Sequence, residues 1–66
     1  MKKLTFSGEM FKQLFELEYP HIYLEENTND LLNEYGQKVD EGLDIKKALD
    51  LCQDNIMSQG MADYQE

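Results

Sequence analysis

The chain has 66 residues, one cysteine, six lysines, no arginine and 14 acidic side chains, for a formal charge of −8. That much negative charge, with no arginine to fork onto a phosphate or a guanine edge, sets the protein against direct binding to nucleic acid or to an anionic membrane surface. A single cysteine allows no disulfide within the chain, and no His/Cys cluster of zinc-site spacing accompanies it.

A chain this short is expected to form one domain, residues 1–66, and to bury only about 60% of the surface its unfolded form exposes. Such a core rarely supplies more than about 3–5 kcal/mol unless a staple or a second subunit adds to it. With disulfide and zinc set aside, self-association is the reinforcement that remains. Lys2 and Lys3 precede Leu4, Thr5 and Phe6, but the apolar run of a signal peptide does not follow, and no stretch approaches the roughly 18 apolar residues of a membrane span. A cytoplasmic location is expected, in keeping with one unpaired thiol.

The expected fold class is all-α, a small three-helix domain with helices over about 6–19, 29–41 and 45–58. In the first, Phe6, Met10, Phe11, Leu14, Phe15 and Leu17 recur at three- and four-residue steps, after Thr5 or Ser7 as its start. Pro20 ends it, because the residue before a proline is pushed out of the helical region. Residues 20–27 read as a loop with one helical turn. In the second helix Thr28 or Asn29 would cap by accepting a hydrogen bond from a first-turn N–H, and Asp30 suits the positive end of the dipole. Its buried stripe is Leu31, Leu32, Tyr35 and Val39, and Glu34 and Lys38 stand in the favourable i, i+4 order outside. Gly36 costs about 1 kcal/mol relative to alanine, tolerable where another helix must come close. Gly42 terminates this helix in a left-handed conformation.

Asp44 caps the third helix, whose core face is Ile45, Ala48, Leu49, Cys52 and Ile56, flanked by Leu51 and Met57. Gly60 closes it. Residues 1–4 and 61–66 are expected to fray.

Tyr35, Gln37, Glu41-Gly42, Ala48, Leu51, Cys52 and Ile56-Met57, preceded by Phe11, Leu14 and Tyr19-Pro20, form a pattern over about residues 6–58. It resembles small uncharacterised helical proteins from mobile elements of Bacteroides-type bacteria. The loop between the proline and the second helix looks several residues longer in those proteins. The resemblance implies a small helical protein of unknown activity, and it carries over no functional residue.

No catalytic, metal or cofactor-binding constellation emerges, and no cofactor is expected. Cys52 falls on a core face and reads as a small hydrophobe, and a lone His21 makes no metal site. The loop from Glu25 to Asp30 fails as a calcium loop, because the sixth and twelfth positions hold Asp30 and Gly36 where glycine and glutamate are needed. The four glycines are too far apart to cradle phosphate. A helix-turn-helix across Gly42-Leu43, with Lys46 and Lys47 leading the second helix, is opposed by Asp44, Asp50 and Asp54 on that same helix.

The expected function is a non-enzymatic protein–protein interaction module, with a protein partner that is either a second copy in a homodimer or another chain. The candidate interface is the aromatic face of the first helix, Phe6, Phe11, Phe15 and Tyr19, although such stripes face inward by default. The alternative is an acidic inhibitor that imitates nucleic acid, through Glu9, Glu16, Glu18, Glu25, Glu26, Asp30, Asp40 and Glu41.

Overall fold

A computed structural model describes residues 3–60 and the backbone of 62–64. The elements in order are α1 (Phe6–Glu18), β1 (Ile22–Leu24), a 3-10 turn (Glu26–Thr28), α2 (Asn29–Asp40), α3 (Ile45–Gln59) and β2 (Ala62–Tyr64). The protein is thus an all-α three-helix fold, with helix limits within one or two residues of those expected, to which one short antiparallel ladder is added.

The helix ends follow local chemistry. Thr5 is extended at φ −74°, ψ 171°, and its Oγ1 accepts from the Gly8 amide at 2.9 Å, which starts α1. Tyr19, before Pro20, leaves the helical region at φ −126°, ψ 69°. Of the two expected caps on α2, Thr28 is corrected by the geometry. Thr28 is the last residue of a 3-10 turn and keeps near-helical angles, so its fully buried hydroxyl reaches backwards and donates to the Glu25 carbonyl at 2.6 Å. It accepts nothing from α2.

Gly42, at φ 113°, completes a Schellman closure of α2. Its amide donates to the Val39 carbonyl at 3.0 Å and the Leu43 amide to Lys38 at 2.9 Å, while Leu43 packs on the core. Asp44 Oδ2 then accepts from the Lys47 amide at 3.2 Å to open α3. Gly60, left-handed at φ 64°, ends it.

Two glycines set the crossing of α1 and α2. A Cβ on Gly36 would lie 2.5 Å from the Ser7 carbonyl oxygen, and one on Gly8 would lie 3.2 Å from the Asn33 Cα. Beside this crossing the Asn33 amide acts as a strand in miniature. Its Oδ1 accepts from the Thr5 N–H at 2.8 Å and its Nδ2 donates to the Lys3 carbonyl at 2.9 Å. Lys3 and Leu4, expected to fray, are therefore held, and Leu4 packs against the core.

The core draws on every helix and on β1: Phe11 and Phe15 from α1, Ile22, then Leu32 and Tyr35 from α2, then Ala48, Leu49, Cys52 and Ile56 from α3. Leu31 and Val39 are only partly buried, and Ile45, expected inside, is exposed at the open first turn of α3. The Phe11 and Tyr35 rings stack at 6.2 Å, and Asn55 Nδ2 donates to the Tyr35 hydroxyl at 2.7 Å, which satisfies that ring's polar end between α2 and α3.

The segment after α3 does not all fray. Beyond Gly60 the backbone of 62–64 pairs antiparallel with β1, Ile22 opposite Tyr64 and Leu24 opposite Ala62. The turn expected in residues 20–27 is present as the 3-10 turn, but Ile22–Leu24 is strand, because those three residues have a partner strand that no local pattern announces. Of the ends expected to fray, Met1, Lys2, Met61, Gln65 and Glu66 lie outside the described residues.

Candidate interaction surface

The candidate interface residues of α1 divide between two faces. Phe11 and Phe15 are 2% and 0% exposed, so they belong to the core and cannot meet a partner. Tyr19 is partly buried, its ring tilted on Phe15 at 4.9 Å. Burial first, then the charges of Asp50 and Glu18, raise its phenol above the ordinary range. Phe6 alone of the four stands out in solvent, at 80%. The expected aromatic stripe was never one face, since the five-residue step from Phe6 to Phe11 turns about 140° around a helix.

What α1 does present outward is a different row. Phe6, Met10, Leu14 and Leu17 are all exposed, at 80, 51, 36 and 80%. Their 4-4-3 spacing sets them within about 80° of arc, centred about 120° around the helix from the Phe11–Phe15 face. α1 is therefore apolar on two sides. The signal was in the sequence, because a helix with six apolar residues over two turns and more holds more than one seam, but the alternation hides which seam faces in.

The other exposed large apolar side chains, Tyr23, Ile45, Leu51 and Met57, form no comparable row. Leu51 and Met57 point about 120° apart on α3.

All eight candidate acidic residues are exposed, spread over α1, the β1–α2 connection and both ends of α2. Asp40 accepts a short hydrogen bond from the Ser7 hydroxyl, and Glu41 one from Gln37 at 3.5 Å. Along the outer edge of α2 the acidic run is interrupted by Lys38, whose Nζ is 3.5 Å from Glu34 and 5.2 Å above the Tyr35 ring. Glu9, Glu16 and Glu18 instead border the exposed row on α1.

Cys52 is fully buried, and burial, with Glu34's charge as the smaller cause, pushes its thiol up to about 12. A thiol so held is protonated at neutral pH and is no nucleophile. His21 is exposed in the turn after α1, beside a shallow hollow lined with Glu16, Pro20 and Tyr23. Among the described residues no three His, Cys, Asp or Glu side chains are grouped to hold a metal ion, and no helix is long and apolar enough to cross a membrane. Compared with family models, curated proteins and solved structures, the chain finds no match.

Proposed function

We propose that this protein is a non-enzymatic interaction module that docks another polypeptide on the outer face of α1. One observation carries the reading: the row Phe6, Met10, Leu14 and Leu17 remains in solvent although the core is already filled by other residues. Single exposed apolar side chains are ordinary on a protein surface, whereas the largest contiguous patch on a small protein is often its functional face. Helix-in-groove and helix-on-helix recognition use this i, i+4, i+8, i+11 spacing. A protonated, enclosed Cys52 supports the non-catalytic part of the reading. The nucleic-acid mimic has less behind it, because its carboxylates are scattered and Lys38 interrupts the longest run.

A photo-crosslinking amino acid in place of Leu17, introduced in the cells that make the protein, tests this. A discrete adduct is expected from that position and none from the same group at Glu26, which is also exposed but off the row. No adduct at position 17 would remove the reading.

A further inference from the structure

Resting on that reading, we infer that the outer face of α1 receives a basic amphipathic helix rather than a second copy of this chain. Polar and acidic side chains border the row. On a wheel of about 100° per residue, Gln13, Glu9 and Glu16 lie along one side of it and Ser7 and Glu18 along the other, all within about 120° of its centre. Every charge on those borders is negative, and Lys12 turns to the far side.

Self-pairing brings these borders together badly. Two antiparallel α1 helices set Glu9 across from Glu16 of the second copy, and a parallel pair sets the Glu9–Glu16 edge against Glu18. In either arrangement like-charged borders are brought to the same solvent edge, between chains that each carry −8. Like charges juxtaposed across an interface disfavour the pairing, which is how wrong partners are refused.

Area points the same way. Four side chains exposed to this degree offer roughly 500 Å² of apolar surface, the size of the largest patch on an ordinary monomer. A stable interface buries about 800 Å² on each partner, so the borders must take part in any durable contact. Cationic borders on the partner turn them from a repulsion into an attraction. The row is about 16 Å long, which a partner helix of three or four turns covers. Met10 at its middle can adapt its shape to the apolar side chains brought against it.

The test uses synthetic helical peptides of about five turns, one with a leucine stripe bordered by lysine, one with the same stripe bordered by glutamate. Each is titrated by fluorescence anisotropy at low and high salt. One-to-one binding of the lysine peptide, weakened at least about tenfold by Leu17→Ser, is the expected result. Glu9→Lys with Glu16→Lys should weaken it as much and flatten its salt dependence, while Glu26→Gln leaves it within about twofold. Leu17 is 80% exposed, so its variant keeps the fold, and unchanged helical circular dichroism verifies this. Equal binding of the glutamate peptide, or binding untouched by Leu17→Ser, would overturn the proposal. So would a solution mass near twice 7.8 kDa that Leu17→Glu returns to monomer, although the α1 face would then survive as a contact surface. Loss of the Leu17 crosslink as well would remove both readings.

Discussion

Gly36 lies directly against the backbone of Ser7: the hydrogen it carries in place of a side chain is what lets α2 touch the first turn of α1. An added methyl would come within 2.5 Å of a carbonyl oxygen and 2.7 Å of its carbon, atoms that cannot swing aside as the end of a long side chain would. Alanine at 36 gains about 1 kcal/mol of helix propensity and loses more to the forced separation of the helices. Set against an overpacking cost of about 1–3 kcal/mol, a net loss of up to about 2 kcal/mol is expected, or a fall in thermal midpoint of several degrees for each kcal/mol. Gly42→Ala is the control. No atom lies within 4 Å of its Cβ position, so only the strain of φ 113° is felt, at about 1–2 kcal/mol.

Two positions on α1 that are alike in sequence should respond in opposite ways. Phe15→Ala empties a fully buried site and should cost about 3–5 kcal/mol, comparable to all the stability a core this small supplies. Leu17→Ala, two residues on, should stay within about 0.5 kcal/mol. Urea unfolding followed by circular dichroism distinguishes them, and equal losses would mean that the row on the outer face is packed after all.

Asn33 secures the segment before α1 with three bonds, accepting from the Thr5 amide and hydroxyl and donating to the Lys3 carbonyl, so its variants should grade. Asn33→Ala loses all three and should cost about 1–2 kcal/mol, with the Thr5 amide exchanging its hydrogen as fast as an open chain. Asn33→Asp keeps an acceptor for Thr5 but no donor for Lys3, and should fall between. Hydrogen exchange at Thr5 that is unprotected in the unaltered protein would refute the clamp.

The buried thiol gives stability a direction with pH. Its ordinary value is 9.0, and the folded state raises it to about 12, so the native protein holds this proton more tightly than the unfolded chain does. Its contribution is complete below about pH 9 and is lost as pH climbs from there towards 12. Tyr19 shifts in the same sense from greater exposure. Urea midpoints should therefore fall from about pH 9 upward, and more gently in Cys52→Ala than in the unaltered protein. Parallel curves for the two would show that the thiol is not enclosed.

The three helices were legible because each carries its own punctuation: Thr5 and Pro20, Gly42 with Asp44, then Gly60. Where a helix end depends on a residue's own side chain and backbone, the sequence states it. Thr28 misled because the same hydroxyl can accept forwards or donate backwards, and the buried 3-10 turn decides which. The clamp at Asn33 and the pairing of 22–24 with 62–64 join residues distant in the chain, and no periodicity reports such a meeting. On α1 every apolar residue was visible, but the division into an inner and an outer row required knowing that Gly8 faces Asn33, which fixes the rotation of the helix.

The ladder between β1 and β2 also bears on how the chain folds. Each helix and the tight α2–α3 turn form from neighbours, whereas Ile22 must find Tyr64 across some forty intervening positions. Closing so wide a loop is entropically dear, and three residue pairs give little in return, so the ladder should zip after the helices have packed. The same pairs should be the earliest to part in native-state exchange, by an opening that leaves the three-helix body standing.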